Sequence, residues 1–589
     1  MYLKSIRIVN FRKIKEAECF FNSGLNLIVG PNDSGKTAII DAIRFVLRQV
    51  VDDYARISED DFNEKKQEMA IDIVFSFDDC DKEKLKQEPA CFAEYLSFIE
   101  KNKPELRIWY SVKNSEQDIK FPEFKVGPTK DVAVDMDARC REKLKVVYLR
   151  PLRDAENELK AKQGSRISKI LRNHNDIITA EEELIELLRK FKVGTEDFFN
   201  TGKGKHIKDE VDRLLKIFDE QANLQNKNIK FGPTEKLDSC LKTLEKLALY
   251  YDDLPRPGLG TLNMIFIAAE LLHLNTQKAT KLILVEEIEA HLHPQRQLKI
   301  IKALQEESKK GIQMILTTHS PNLASVIEVE RLNICYDGQF YSLAKGKTEL
   351  DYKNYSYLGR FLDVTKANLF FTQGVILVEG TTEQLLIPEF AKFLGYNLTD
   401  YGISIISTNN LGFEHFVNIF KRKEAPYNQI PIAVITDADK RQKAAIDTYV
   451  TEIKDNNNRV GCFVGEQLYC DNDLVSDDKK KTTFEKIIFK NVAKLKELYV
   501  QAYNSLKSRT ENATVEMDIE QLYEKMNSEK APIAQEVAQR LSEISDSGEK
   551  SAIKKEIEDN LKNIKDAIEF VIPKQVTVEG DNTSASTVE

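Results

Sequence analysis

The chain has few of the features that mark secreted, zinc-binding and membrane proteins. Its eight cysteines among 589 residues are scattered and form no Cys-x-x-Cys pair, so neither a zinc site nor a disulfide framework is indicated. No stretch of about 18 uncharged apolar residues occurs, which argues against a membrane-spanning helix. The first residues, MYLKSIRIVNFRK, alternate apolar and polar side chains and predict a strand rather than a signal peptide. These absences predict a cytoplasmic protein in a reducing environment.

An excess of positive charge is also missing. The formal net charge is −9, whereas binding to nucleic acid depends mainly on neutralising phosphates. Any contact with DNA must therefore use a local basic groove or a bound metal ion. Basic runs occur at residues 143–153, 203–208 and 479–481, and such runs are more often solvated faces than DNA contacts.

Alternating strand and helix patterns predict an α/β fold. Apolar strands alternate with helices over residues 1–77 and 258–345, and again from about residue 368, which predicts mainly parallel sheets. Residues 155–248 are highly charged and carry apolar residues three and four positions apart, which predicts an inserted helical arm. The region 483–570 is also predicted to be helical.

A phosphate-binding loop lies near the N-terminus. Residues 30–37, GPNDSGKT, match the pattern GxxxxGK[ST], follow the apolar strand LNLIV and precede the helix TAIIDAIRFVL, which is the context that the motif requires. Backbone N–H groups in such a loop cradle phosphates. We expect Lys36 to reach the β- and γ-phosphates of ATP and Thr37 to bind its Mg²⁺. The predicted ATP-binding residues of the loop are Gly30, Asn32, Ser34, Gly35, Lys36 and Thr37.

The other half of a nucleotide site is predicted some 250 residues later. Glu286 and Glu287 follow the strand LILV, and an acidic pair at such a strand end can bind Mg²⁺ and orient a water molecule. We assign Glu286 to Mg²⁺ and Glu287 to the catalytic base. His319, in TTHSP after another strand, is predicted to sense the γ-phosphate. Upstream, PRPGLGTLN supplies glycines before a helix, as a signature loop would.

These motifs resemble those of the SMC/RecF-like ABC ATPases. In that superfamily two heads sandwich ATP, so the resemblance implies a homodimer or a higher even oligomer. The sequence GLGTLN departs from the usual SGG-type signature, which puts the rate of ATP turnover in question more than ATP binding. Glu289, His291 and His293 could form a metal cluster, but the resemblance favours a role in head-to-head contact.

Acidic residues follow two further strands. Glu379 ends the strand VILV, Glu383 lies four residues later at the start of a helix, and Asp437 and Asp439 end the strand IAVIT. Gly380 is expected to permit a tight turn between the first two. Residues two apart on an extended end point to the same side, and ligands bind beyond the carboxyl ends of parallel strands. The four carboxylates are therefore expected to share one crevice.

Carboxylates brought so close together repel one another. Mg²⁺ or Mn²⁺, which prefer oxygen ligands, would remove that repulsion. Two such ions can activate water and stabilise the leaving oxygen in phosphodiester cleavage. The pattern Glu, then Asp-x-Asp, resembles the Toprim domain of topoisomerases, primases and certain nucleases.

The order of an ATPase followed by Toprim resembles the OLD (overcoming lysogenisation defect) family of nucleases over about residues 1–575. The segments that carry this resemblance are YLRPLRDAENEL, EEIEAHLHPQ and VEGTTE. It implies that Glu485 serves a second metal site, that Lys530 lies near the scissile phosphate, and that Ser407, Thr408 and Asn409 form a loop near the metals. It also implies DNA as substrate, a role in antiphage defence, and a helicase-like or retron-encoded partner.

Together the motifs and the resemblance predict five segments. These are the N-terminal part of an ABC ATPase (1–155), a helical insertion for dimerisation (156–248), the C-terminal part of the ATPase (249–360), a Rossmann-like Toprim domain with helical additions (361–575), and a disordered tail (576–589). The predicted function is an ATP-regulated, metal-dependent DNA endonuclease.

Two other functions remain open. A topoisomerase-like enzyme would need a tyrosine nucleophile, and none of the 20 tyrosines has a recognisable winged-helix context. A DNA-repair ATPase without nuclease activity would not need the Toprim carboxylates. The sequence does not decide whether ATP activates or restrains cutting.

Overall fold

The structure is a computed structural model, and it describes fourteen segments of the chain. The predicted site residue Asp439, the basic run 479–481, the predicted tail and most of the helical insertion lie outside them. The described residues are 1–48, 57–77, 90–100, 103–115, 118–119, 121–150, 170–171, 175–209, 258–276, 281–409, 412–438, 443–466, 482–506 and 512–573.

An antiparallel sheet forms the first layer of the N-terminal half. Its strand β1 pairs on one side with β2 and on the other with β4, so that Ile6 lies opposite both Cys19 and Ile73. The sheet order is β2-β1-β4-β6-β8-β9, with β5 and β7 also paired to β6. The strands are β1 (Tyr2–Phe11), β2 (Ile14–Phe20), β4 (Glu68–Ser76), β5 (Leu96–Glu100), β6 (Lys103–Ser115), β7 (Asp118–Ile119), β8 (Glu123–Val126) and β9 (Val134–Asp135).

A second sheet carries the nucleotide motifs, in the order β10-β11-β12-β3-β13-β14. All neighbouring strands are parallel except the β13–β14 hairpin. Strand β3 therefore lies centrally, and residues from segments almost 300 positions apart meet at its carboxyl end. The strands are β3 (Leu25–Val29), β10 (Val147–Leu149), β11 (Leu282–Val285), β12 (Gln313–Thr317), β13 (Leu332–Tyr336) and β14 (Gln339–Ser342).

Helices of the N-terminal half connect these strands and form the described part of the arm. On the arm, Leu187 and Phe191 are more than 60% exposed. No described helix is long and apolar enough to cross a membrane. The helices are α1 (Lys36–Leu47), α2 (Ala138–Glu142), α3 (Asn175–Thr179), α4 (Glu181–Asn200), α5 (Leu259–Thr276), α6 (Pro294–Ser308), α7 (Pro321–Ala324) and α8 (Tyr352–Phe361).

The C-terminal half is built on a third, parallel sheet. Its order is β16-β15-β17-β18, so β15 and β17 are direct neighbours although β16 intervenes in sequence. The strands are β15 (Gly374–Val378), β16 (Ile403–Ser407), β17 (Ile432–Thr436) and β18 (Val460–Val464). The helices are α9 (Thr381–Leu394), α10 (Phe413–Val417), α11 (Lys443–Ile453), α12 (Phe484–Asn491), α13 (Ala493–Ser505), α14 (Ile519–Met526), α15 (Lys530–Glu543), α16 (Ser547–Asn560) and α17 (Lys562–Val571).

Both parallel sheets are covered on two sides, which explains their continuous apolar strands. In β15, Val375 and Leu377 face one core, whereas Ile376 and Val378 face another. The first of these cores also contains Leu27 and Val29 of β3. The nucleotide-carrying sheet and the C-terminal sheet thus share one hydrophobic core. This arrangement is an ABC-type ATPase head followed by a Toprim domain with helical additions, as predicted.

Candidate functional site

Two strand tips bring the first acidic residues together. Glu379 directly follows β15 and Asp437 directly follows β17, its neighbour in the sheet. The Thr436 hydroxyl donates a hydrogen bond to Glu379 Oε1, and the Asp437 backbone N–H donates to the same oxygen at 2.9 Å. The tip of β17 therefore fixes the Glu379 carboxylate in place. The structure places these two predicted residues in one site.

Glu383 joins this site from the first turn of α9. Its side chain is buried. The preceding Gly380 has φ −140° and ψ −175°, an extended backbone that any residue can adopt, so our expectation that glycine permits a tight turn was wrong. The observed reason is space, because a Cβ on Gly380 would lie 3.2 Å from Glu383 Oε2. The glycine leaves room for the carboxylate.

Glu485 and Asp437 meet at the start of α12. The Phe484 backbone N–H, in the first turn of that helix, donates to Asp437 Oδ2 at 3.1 Å. A carboxylate in this position is stabilised by the partial positive charge of the helix N-terminus. Buried Glu485 accepts a hydrogen bond from Thr382 Oγ1 at 3.3 Å, which ties it to the first turn of α9. The first turn of α12 thus brings a third segment to the site.

Lys530 supplies a cation next to these acids. It is the first residue of α15 and its Nζ lies 3.1 Å from Glu485 Oε2. Burial lowers the pKa of Lys530, but the charge of Glu485 and the hydrogen bond with Tyr523 more than compensate, and the net pKa is raised. Lys530 is therefore a fixed positive charge at neutral pH.

All five side chains line one cleft of about 580 Å³. Removal from water, together with the negative charges of Glu485 and Glu379, raises the pKa of Glu383 to about 7. Burial and the charges of Glu379 and Glu383 raise the pKa of Asp437 well above its ordinary value. The cleft therefore brings together carboxylates that repel one another and whose charges Lys530 offsets only in part. Thr408, from the predicted loop after β16, also lines it.

The chemistry of these side chains fits a divalent cation. Hard cations prefer carboxylate oxygens, and the raised pKa values show that the carboxylates would gain from an added positive charge. Among the residues that the structure describes, however, no group of three or more His, Cys, Asp or Glu side chains is arranged so that it could hold a metal ion. Asp439, the fourth predicted ligand on the strand tips, lies outside the described residues.

The phosphate loop forms a second pocket at the carboxyl end of β3. Lys36 Nζ donates to the carbonyl oxygens of Gly30 at 2.8 Å and Pro31 at 2.6 Å. Burial lowers the pKa of Lys36 to about 8. Gly30 is required here, because its φ is 152° and an added Cβ would lie 2.1 Å from the Cys335 carbonyl oxygen. The loop carbonyl groups thus bind the Lys36 ammonium. A buried ammonium without a paired carboxylate would gain from an anionic ligand. Asn32, Ser34 and Gly35 lie in the same loop, and their contact with ATP stays a prediction.

The acidic pair after β11 lies beside this loop. Glu286 is buried, and it accepts hydrogen bonds from the Tyr148 hydroxyl at 2.6 Å and from the Thr37 side chain. Burial raises the pKa of Glu286. The contact with Thr37 brings together the two residues predicted to bind the Mg²⁺ of ATP. Glu287 adopts a left-handed backbone, φ 46°, and its charge acts on Lys36.

His319 and the neighbouring histidines have separate environments. Burial and the charge of Lys36 lower the pKa of His319, which places it beside the phosphate loop. Glu289 accepts hydrogen bonds from Thr318 Oγ1 at 2.8 Å and from the His319 N–H at 2.6 Å. Glu289 thus ties two loops together, and no metal-binding group of three such residues occurs among the described residues.

The start of α5 packs on the same loop. A Cβ on Gly260 would lie 2.6 Å from the His291 carbonyl oxygen, and Asn263 Nδ2 donates to the Ala290 carbonyl at 3.1 Å. The segment that we compared with an ABC signature therefore lies against the loop after the acidic strand.

Comparison with known protein families identifies an ATPase domain and a Toprim domain in this chain. Residues 1–324 match the family described as AAA ATPase domain, and residues 370–439 match the TOPRIM domain of overcoming lysogenization defect protein-like sequences. The fold and the two sites define a protein in which an ATPase precedes a Toprim domain. The chain belongs to the AAA ATPase-domain family, and its residues 370–439 are similar to the OLD-like TOPRIM domain.

Three relatives show the extent of the similarity. The chain is 24% identical to "OLD nuclease" of Thermus scotoductus, over 79% of this chain and 89% of the relative. It is 22% identical to "Endonuclease GajA" of Bacillus cereus, over 82% and 92% respectively. The solved C-terminal region of the Burkholderia pseudomallei OLD protein is 22% identical and covers 34% of this chain and 99% of that chain, with a TM-score of 0.25.

Several residues of both pockets were not predicted from the sequence. Thr382 and Thr436 hold site carboxylates, Tyr148 holds Glu286, and Tyr523 contacts Lys530. Thr382 and Thr436 adjoin predicted residues, so their proximity was a usable signal. Tyr148 is 138 positions from Glu286, and although Tyr523 is only seven positions from Lys530, the two lie on different helices, so that only folding reveals both contacts.

Proposed function

We propose that this protein is a divalent-metal-dependent DNA endonuclease, regulated by ATP bound in its N-terminal half, that acts in antiphage defence. The observation that carries the proposal is the cleft in which Glu379, Glu383, Asp437 and Glu485 converge beside Lys530. Four acids beside one cation, two of them directly after neighbouring parallel strands, favour phosphodiester chemistry over a purely structural site.

In this proposal the four carboxylates and Asp439 hold one or two Mg²⁺ or Mn²⁺ ions. When bound, such ions lower the pKa of a water molecule and neutralise charge on the phosphodiester. Thr436 and the Asp437 N–H orient Glu379, and Thr382 orients Glu485. Lys530 donates to a non-bridging phosphate oxygen, so that its charge stabilises the pentacovalent arrangement.

The nucleotide pocket supplies the regulation. Lys36 would leave the carbonyl groups of Gly30 and Pro31 for the phosphates of ATP, while Thr37 and Glu286 hold its Mg²⁺. Glu287 would orient the attacking water and His319 would contact the γ-phosphate. The core shared by the two sheets offers a physical connection between this pocket and the cleft.

Assembly belongs to the same proposal. We place the ATPase at residues 1–155 and 249–360, a dimerisation insertion at 156–248 and the Toprim domain at 361–575. The exposed apolar side chains of Leu187 and Phe191 on α4 support an interface between two copies. DNA is the substrate, and a helicase-like or retron-encoded defence protein is the proposed partner.

One experiment tests the nuclease. Purified protein is incubated with supercoiled plasmid and Mn²⁺ or Mg²⁺, with and without ATP, beside Glu379→Ala. We expect the wild type to nick or linearise the plasmid and Glu379→Ala to lose at least ~100-fold of this activity, while both bind ATP equally. Equal cutting by the two proteins would contradict the proposal. Glu414→Ala, at an exposed position in the same domain, is the matched control and should cut normally.

A further inference from the structure

A tyrosine lies on the wall of the carboxylate cleft, next to the lysine. Tyr523 is on α14 and lines the cleft together with Glu485 and Lys530. Its hydroxyl oxygen accepts a hydrogen bond from Lys530 Nζ at 3.1 Å. The same Nζ lies 4.6 Å from the centre of the tyrosine ring. The phenol thus contacts Lys530, the side chain that we propose to bind the phosphate.

The number of donors on Lys530 makes this contact informative. A lysine ammonium has three N–H donors and no acceptor. One donor faces Glu485 Oε2 at 3.1 Å and a second faces the Tyr523 hydroxyl. No partner for the third is found within the described part of the chain. Two anchors therefore fix the ammonium and leave one donor for a phosphate oxygen.

Tyr523 is itself in contact with a second lysine, Lys486. Lys486, whose side chain is only 1% exposed, forms an ion pair with Glu520 at 2.9 Å. Its Nζ lies 4.8 Å from the centre of the Tyr523 ring, a distance at which cation and ring attract each other. A capping box between Asp518 and Gln521 fixes the start of α14. The ring is thus braced by contacts that do not involve its hydroxyl group.

We infer that Tyr523 is a positioning residue for DNA cleavage that acts through Lys530; this inference rests on the proposed function. Without the phenolic oxygen, Glu485 would be the one remaining hydrogen-bonding anchor of Lys530 among the described residues. The ammonium could then turn about that single contact, and its free donors would no longer have a fixed direction toward the phosphate. Tyr523 prevents this by holding the ammonium between two acceptors.

Tyr523→Phe tests this role because it removes the hydroxyl and keeps the ring that Lys486 contacts. We expect kcat for cleavage of a short DNA duplex with Mn²⁺ to fall about tenfold, the effect of one lost hydrogen bond to a charged group. KM and the melting temperature should stay unchanged. In a Lys530→Met background the same substitution should have no further effect, because its target is already absent.

Tyr499→Phe is the matched control. Tyr499 lies behind Glu485, and its hydroxyl is buried without a hydrogen-bond partner among the described residues. Its removal should leave cutting unchanged. The inference is overturned if Tyr523→Phe cuts normally, or if its effect is additive with that of Lys530→Met. A covalent tyrosine–DNA adduct that forms in the wild type and is lost in Tyr523→Phe would also overturn it, because Tyr523 would then be a nucleophile.

Failure of the proposed function would look different. If Glu379→Ala cuts as well as the wild type, the cleft is not the nuclease site and the role of Tyr523 falls with it. If Glu379→Ala is inactive but Tyr523→Phe is normal, only the positioning role is refuted.

Discussion

The two pockets of this molecule hold opposite charges in unfavourable surroundings. In the phosphate loop, burial lowers the pKa of Lys36 to about 8. In the Toprim cleft, burial and neighbouring carboxylates raise the pKa of Glu383 to about 7, and they also raise the pKa of Asp437 well above its ordinary value. Lys36, Glu383 and Asp437 are thus each shifted toward the neutral form. In both sites, burial disfavours the charged form of a side chain. The charge concerned is positive in the phosphate loop and negative in the Toprim cleft.

This difference indicates what each pocket binds. A buried cation without a neutralising acid gains most from an anion such as a triphosphate, and clustered acids gain most from divalent cations. The phosphate loop satisfies its lysine with its own carbonyl groups. The Toprim cleft has Lys530 as its one cationic lining residue within the described ranges. We therefore expect a divalent cation to release a proton from the Toprim cleft and ATP to favour proton uptake by Lys36.

Replacement of Lys36 should produce the largest difference between the two sites, because it should affect ATP binding and not Mn²⁺ binding. We expect Lys36→Ala to weaken ATP binding at least ~100-fold, because a charge-assisted contact to the phosphates is lost. Binding of Mn²⁺ to the nucleotide-free protein should not change. Titration with a fluorescent ATP analogue and with Mn²⁺ measures both, with Lys310→Ala, an exposed lysine, as the control. A loss of Mn²⁺ binding in Lys36→Ala would show that the pockets are not independent.

A neutral Glu383 should stabilise the metal-free protein. A carboxyl whose pKa is raised in the folded state binds more protons there than in the unfolded state, so stability falls as pH rises from about 4.5 to 7. Glu383→Gln should remove this loss and increase the free energy of unfolding at pH 8 by roughly 1–3 kcal/mol.

Denaturant unfolding in the presence of a chelator measures this effect. The exposed Glu414→Gln should change the free energy by less than about 0.5 kcal/mol. If Glu383→Gln is less stable than the wild type at pH 8, the burial of a repelled carboxylate is refuted. Saturating Mn²⁺ should reverse the order of wild type and Glu383→Gln.

The affinities for the two ligands should depend on pH with opposite signs. Below about pH 7, Mn²⁺ must displace a proton from Glu383, so its affinity should rise up to about tenfold per pH unit until pH 7 and then level off. Above about pH 8, ATP must bind a neutral Lys36, so its affinity should fall by up to about tenfold per pH unit. Calorimetry in buffers of different ionisation enthalpy detects the released or absorbed proton. Proton changes of the same sign at both sites would contradict the comparison.

The sequence alone determined the parts of both sites that are continuous along the chain. The phosphate loop and the acids at the ends of β11, β15 and β17 follow apolar strands, and strand ends are readable because buried parallel strands are unbroken apolar runs. The alternation of strands and helices predicted parallel sheets, and the motifs, together with the family resemblance that they carry, predicted an ATPase followed by a Toprim domain. The reason for Gly380 was misjudged, since the sequence shows neither backbone angles nor the nearby carboxylate.

Tertiary structure decided how distant side chains meet in each site, including Glu485 and Lys530, which only the family resemblance had implied. Tyr148 reaches Glu286, 138 positions away, and Lys530 reaches Glu485, 45 positions away. Whether a polar residue on a helix surface enters a cleft depends on how that helix docks, and helix docking is set by the packing of apolar side chains in the core. Local patterns contain no record of such contacts. The cleft, the shifted pKa values and the place of Tyr523 therefore became visible only in the folded chain.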